Sequence, residues 1–175
     1  MALTQVRPAG LIFPTDSILQ VKSTTKTDIA SFSSSNTSDY VDLSGMSVSI
    51  TPASTSNKIL VMFTVNVAQS TTATVHVRLA RDSTAIYIGD QGSGSSIRSS
   101  VLARNNGTPY VYEIPNLSGT HLDSPNTTSA VTYKLQGTLG STYNGTFYVN
   151  RMGSDGSSDF QGRPASNITV MEIVG

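Results

Sequence analysis

Cysteine is absent from the 175 residues, and that gap removes disulfide bridges, thiolate metal centres and thiol nucleophiles together. Stability must then come from packing or from association. Charge is scarce as well: Asp, Glu, Lys and Arg make up 13% of the chain, against about a quarter in ordinary soluble domains. Lys+Arg 11 against Asp+Glu 11 leaves a formal net charge of zero, so no long-range field draws the chain toward nucleic acid or an acidic membrane surface. No apolar run approaches the length of a membrane span, and no segment carries a useful 3.6-residue period. The apolar cluster Leu11-Ile12-Phe13 is too short for a secretory signal and lies between Pro8 and Pro14, so synthesis in a cytoplasm without a leader is expected.

Chemistry is just as thinly represented. The two histidines, His76 and His121, have no partner at metal-ligand spacing, and their default is a satisfied imidazole. No Gly-x-Ser-x-Gly stands before a helix, and Gly92-Ser-Gly-Ser-Ser96 breaks that pattern at its last position. The Gly89–Ser95 loop lacks the Lys-Ser/Thr and the helix of a phosphate cradle. Asp155-Gly-Ser-Ser-Asp159 departs from calcium-loop spacing and has no bidentate Glu, so a plain turn is expected. Six Asn-x-Ser/Thr triplets follow by chance from an Asn-, Ser- and Thr-rich composition. The chain is therefore expected to be no enzyme and to need no cofactor or metal.

What the sequence does contain is alternation. Ile59, Val61, Phe63, Val65 and Val67 place a large hydrophobe at every second position, and Val75, Val77 and Leu79 resume the beat after a Ser/Thr-rich link. A period of two is a strand with one buried face, and the two runs read as a hairpin. Further strands are expected over Ile18–Lys22, Tyr40–Leu43, Met46–Ile50, Ala85–Gly89, Ile97–Leu102, Pro109–Ile114, Val131–Leu135, Thr146–Asn150 and Asn167–Val174, with an irregular edge near Ile29 and Phe32. Turn signals separate them at sandwich or barrel spacing. Asn167–Val174 is apolar on both faces, which places it in mid-sheet or against another subunit.

Residues 1–17 carry Pro8, Gly10 and Pro14 and cannot form a central strand. Leu3, Val6, Leu11, Ile12 and Phe13 make this an arm that either folds back on its own domain or docks on a neighbour. The expected organisation is thus an all-β, antiparallel sandwich of about ten strands over 18–175, preceded by an extended N-terminal arm over 1–17.

Several blocks carry a resemblance. Val75–Asp90, with its strand, Arg81-Asp-Ser-Thr84, strand, Gly-Asp order, is similar to small virion proteins of tailed phages, in particular those of marine bacteria and cyanobacteria. So are Ile50–Val61, Leu122–Gln136, Tyr148–Arg151 and Ala165–Ile173. The resemblance covers about residues 18–175 and implies a jelly roll similar to the trimeric heads of C1q and tumour-necrosis-factor proteins, without catalytic residues. It implies a homotrimer in the virion, partnered by the major capsid protein or by tail and fibre proteins. The chain has no coiled-coil shaft ahead of the domain, which favours a capsid decoration (cement) protein held by its arm. The alternative is a tail-fibre or receptor-binding tip that grips host-surface glycans. Under the first reading Leu3, Val6, Leu11, Ile12, Phe13, Met171 and Ile173 form subunit or capsid contacts; under the second, Tyr87, Asp90 and Arg98, or Tyr143 and Asn144, meet the glycan.

Overall fold

The period-two segments form eleven strands in the computed structural model, which describes residues 13–34, 39–70, 72–92, 94, 96–104, 112–140 and 145–175. They are β1 (Ile18–Lys26), β2 (Ala30–Ser34), β3 (Val41–Ile50), β4 (Lys58–Gln69), β5 (Thr74–Arg81), β6 (Thr84–Ile86), β7 (Val101–Arg104), β8 (Asn116–Asp123), β9 (Val131–Gly140), β10 (Gly145–Val149) and β11 (Ser166–Ile173). The first sheet runs β1-β11-β4-β10-β2, with β8 on the other side of β4; the second runs β3-β9-β5-β6, with β7 also on β5. All pairings are antiparallel. The chain changes sheet between β2 and β3, β3 and β4, β4 and β5, β7 and β8, β8 and β9, and β9 and β10. That winding is jelly-roll-like, as the resemblance implied.

The core lies where the two inner faces meet. Ile59, Val61, Phe63, Val65, Val67, Phe147, Val149, Ile168 and Val170 come from the first sheet, and Met46, Val48, Ile50, Val75, Val77, Leu79, Val131, Tyr133, Leu135 and Leu139 from the second. Burying such side chains gives roughly 1.5–3 kcal/mol each, and with no disulfide it is the main cohesion of the sandwich.

Four expectations are corrected. β4 and β5 are not a hairpin: they lie in different sheets and meet across the core, since alternation fixes which face of a strand is buried but not which strand it pairs with. Of the strand expected over Pro109–Ile114, residues 109–111 lie outside the described residues, Tyr112 sits in a turn and 113–115 are not strand, and a strand that was not expected follows at Asn116–Asp123. The inward positions of β8 are Leu117, Gly119 and His121, paired with Val65, Phe63 and Val61, so its buried face is too weakly apolar to reveal a strand. Tyr40–Leu43 and Met46–Ile50 fuse into β3, with Gly45 (φ +78°) at the register shift between Asp42 and Ser47; a left-handed residue absorbs the extra length without a Cβ penalty. The Ala85–Gly89 strand stops at Ile86, where Tyr87 turns to φ +52°.

β10 and β11 pair with the same side of β4 in succession, and β1 and β2 follow them as the outer pair. The junction is stitched by a buried polar knot. Asn150 (φ +60°, fully buried) donates from Nδ2 to the Lys26 carbonyl at 2.8 Å and the Asp28 carbonyl at 3.1 Å, and its Oδ1 accepts from Ser166 Oγ at 2.5 Å. Asn66 donates to Ser166 Oγ and to the Ala165 carbonyl. A buried polar network this complete fixes one arrangement of strands because every alternative strands a donor.

Candidate functional site

Strand pairing decides which side chains share a face, and the two outer faces of the sandwich differ. On the second sheet the outward row is polar and laced together. Arg78 Nε donates to Gln136 Oε1 at 2.8 Å, Gln136 Nε2 to Asp42 Oδ1 at 2.6 Å, and Lys134 Nζ to Asp42 Oδ2 at 2.7 Å. These two donors hold the Asp42 carboxyl below its ordinary range. Arg78 also lies 4.0 Å over the Tyr40 ring, whose hydroxyl burial pushes up to about 12. Ser49 and Thr132 hydroxyls meet at 2.8 Å. These polar bonds close most of this face, with Leu102 on β7, 52% exposed, its one large exposed hydrophobe among the described strand residues.

The first sheet presents the opposite character. Val21 pairs with Met171, Met171 with Leu60, and Leu60 with Leu122, so four apolar side chains line up across β1, β11, β4 and β8 on the side away from the core. Val21 is 52% exposed and Leu122 47%; Met171 and Leu60 are half-buried. Ile18 and Ile173 extend the patch at one end, and Met62, between Thr169 and Thr120, continues it at the other. Single exposed hydrophobes are ordinary on a protein surface, whereas a contiguous row with a polar surround marks an interaction face.

β11 is central, between β1 and β4, which realises the first of the two placements that its apolar faces left open. Its outward residues include Met171 and Ile173, both expected at an interface, and its inward face ends on Glu172. That side chain is fully buried and accepts 2.6 Å hydrogen bonds from Asn57 Nδ2, Gln20 Nε2 and the Ala53 backbone N–H. Burial pushes its pKa up, but the three donors outweigh burial and hold it below the usual value. The sequence placed Glu172 among outward or inward neighbours by alternation and gave no sign of its donors, which come from a distant strand and loop.

The other expected contact residues divide. Phe13 is described and 43% exposed. Leu3, Val6, Leu11 and Ile12, like Tyr143 and Asn144, lie outside the described residues. Tyr87 stacks on His121, ring centroids 5.3 Å apart, and rests where Gly119 has no side chain: a Cβ there would meet Phe63 at 2.6 Å and Tyr87 at 3.0 Å. The ring therefore plugs the sheet edge at β8. Arg98 donates from Nε to the Gly89 carbonyl at 2.8 Å, and Asp90 Oδ1 accepts the Gln91 N–H at 2.7 Å. The three side chains make these contacts with different partners.

Buried polar groups elsewhere hold the sandwich. Asp123, at the end of β8, accepts from Arg81 Nη1 at 2.9 and 2.7 Å and from the Tyr133 hydroxyl at 2.6 Å, tying the first sheet to β5 and β9 of the second. Burial, then the neighbouring carboxylate, pushes the Tyr133 phenol well up. His76 Nδ1 lies 3.3 Å from Ser99 Oγ, and burial lowers its pKa. Among the described residues no group of three or more His, Asp or Glu side chains is placed to hold a metal ion.

An exposed aromatic pair, not foreseen as a site, joins two loops: Tyr112 ahead of β8 and Phe160 ahead of β11 meet edge to face at 5.3 Å with an interplanar angle of 83°. Nothing in the sequence links the two positions.

No protein-family model matches this chain, and no curated protein sequence matches it. Among solved structures it is similar to the infectious bursal disease virus Gx strain (14% identity, TM-score 0.45) and to the infectious bursal disease virus VP2 subviral particle (14%, 0.46). It is similar also to the Gt strain of that virus (15%, 0.43). The alignments cover 99–100% of this chain but 42–43% of those chains. Scores at this level carry no argument, and the functional reading rests on the chain's own residues.

Proposed function

We propose that this chain is a non-enzymatic structural protein of a phage virion, a homotrimer that decorates the capsid and is anchored through residues 1–17. The observation that supports self-association is the unlike pair of outer faces: one is closed by Arg78, Gln136, Lys134 and Asp42, while the other carries the Val21–Met171–Leu60–Leu122 row. Three copies that turn this face toward a common three-fold axis hide all three rows in one closed assembly. The number three, the virion and the capsid or tail partners come from the resemblance of the Ile50–Val61, Val75–Asp90 and Ala165–Ile173 blocks. Synthesis is in the host cytoplasm, and Leu3, Val6, Leu11, Ile12 and Phe13 are the anchoring residues.

Sedimentation equilibrium tests the assembly. The wild-type chain sediments as a trimer, and Met171→Glu, which places a carboxylate in the middle of the row, sediments as a folded monomer. A monomeric wild type, or a trimer unaffected by Met171→Glu together with Leu122→Asp, refutes the interface. Deleting residues 1–17 leaves the fold and the trimer intact and abolishes incorporation into particles; antibody labelling of intact particles locates the wild-type protein on the head. Label on the tail instead supports the second reading, a receptor-binding tip, which is favoured by the exposed Tyr112–Phe160 pair.

A further inference from the structure

The middle of the loop between β10 and β11 is hydrophilic except at one position. From Gly153 to Arg163 every residue is Gly, Ser, Asp, Gln or Arg apart from Phe160, and that ring is 57% exposed. A polar loop of this composition would ordinarily be free to move, but here it is braced from within. Asp155 accepts from Arg163 Nη2 at 3.0 Å on both carboxylate oxygens and lies 3.7 Å from Arg151 Nη1. Arg151 also donates to the carbonyls of Met152 and Gly153 and stands 4.2 Å over the Tyr148 ring. Gln161 folds back to donate to the Ser154 carbonyl at 3.3 Å, and its own N–H donates to the Ser158 carbonyl. Gly156 makes room for that return, since a Cβ there would lie 2.6 Å from Gln161 Oε1.

The bracing fixes a phenyl ring that does not enter the core. Tyr112, 50% exposed, meets it from another loop. Two rings held half in water gain only about 0.5–1.5 kcal/mol from each other, so folding alone gives little reason to order them. Their combined surface is far short of the ~1,000 Å² that a stable protein interface needs, and Tyr112 and Phe160 are the only large exposed hydrophobes on these loops among the described residues. An anionic ligand is disfavoured: both arginines of the loop are engaged by Asp155, while the adjacent Glu113 and Asp159 are exposed acids.

We propose that the Tyr112–Phe160 pair is a binding platform for a neutral hexopyranose unit. The C–H face of the sugar lies on an aromatic face, and the Tyr112 hydroxyl, the loop serines and the Asp159 carboxylate meet its hydroxyls. A ring already held in place by the braced β10–β11 loop avoids part of the entropy cost of ordering it on binding. The site stands apart from the proposed trimer face, and its failure would leave the sedimentation result untouched.

The test uses the full-length protein titrated with neutral oligosaccharides (maltohexaose, cellohexaose, galactohexaose and mannohexaose) by calorimetry and saturation-transfer NMR. Saturable binding to at least one is expected, weakened tenfold or more in Phe160→Ala and in Tyr112→Ala, retained in Phe160→Trp and in Tyr87→Ala, with unchanged thermal melting in the first two variants. Absence of binding across the panel, or binding that survives Phe160→Ala combined with Tyr112→Ala, overturns the proposal. A change of sedimentation in those variants also overturns it, by making the pair a protein contact.

Discussion

Replacing Glu172 is the most direct test of how the ends of β1 and β11 are held. Its carboxylate is fully buried, has no cation within ion-pair distance among the described residues, and is satisfied by three 2.6 Å donors on β1, the β3–β4 loop and the residue before β4. A hydrogen bond to a charged group contributes ~1.5–3 kcal/mol, and an abandoned buried donor costs ~1–3 kcal/mol. Asn57 is buried, while the Gln20 and Ala53 bonds are only partly so and water can reach them. Glu172→Ala is therefore expected to cost ~3–5 kcal/mol, and Glu172→Gln, which keeps one acceptor, ~1–3 kcal/mol. At roughly 2–4 °C per kcal/mol for a chain of this size, the alanine variant melts roughly 6–20 °C lower, read by calorimetry at fixed protomer concentration. Acid provides a second check. The folded pKa is depressed, so the carboxylate contributes stability that is complete above the unfolded value of ~4.3 and is lost as pH falls through the folded value. The gap between wild type and Glu172→Gln is thus full at neutral pH and narrows in acid. A gap independent of pH down to ~3, or an alanine variant within ~2 °C of wild type at pH 7, refutes the reasoning.

Other substitutions probe separate contacts. Gly119→Ala drives a methyl into the Phe63 ring at 2.6 Å and is expected to cost ~1–3 kcal/mol by overpacking, with a denaturant midpoint to measure it; Tyr87→Ala in the same background does not relieve the loss, since the closer contact is Phe63. Tyr133→Phe removes the hydroxyl donated to Asp123 at 2.6 Å and is expected to cost ~1.5–3 kcal/mol in urea unfolding. Asn150→Ala breaks three hydrogen bonds at the β10–β11 junction and lies at positive φ; a loss above ~3 kcal/mol is expected, and Asn150→Gly recovers only the backbone part of it. Val21→Asp, at an already exposed position, leaves the monomer's unfolding within ~0.5 kcal/mol of wild type while weakening self-association in sedimentation.

Strand character could be read wherever alternation was strong. In β4, β5, β9 and β11 large hydrophobes occupy every second position, and no other backbone conformation turns such residues to one side. β8 stayed hidden because its inward face holds Leu117, Gly119 and His121, and the glycine there serves the neighbouring rings instead of the core. The proposed hairpin failed for a related reason: two adjacent apolar strands pack equally well side by side or face to face, and only the competition of all strands for partners separates β4 from β5. Met171 and Ile173 were legible as interface candidates because a strand apolar on both sides needs a cover on each.

By itself, the order of residues determined the class of the fold, its period-two strands and the absence of cysteine chemistry. Those properties depend on neighbours a few positions apart in the chain. The tertiary structure alone decided that Val21, Met171, Leu60 and Leu122 form one row, that Glu172 meets Asn57 and Gln20, and that Tyr112 meets Phe160. Each of these joins residues distant in sequence, and strand register, a global outcome of packing two sheets around one core, is what brings them within reach.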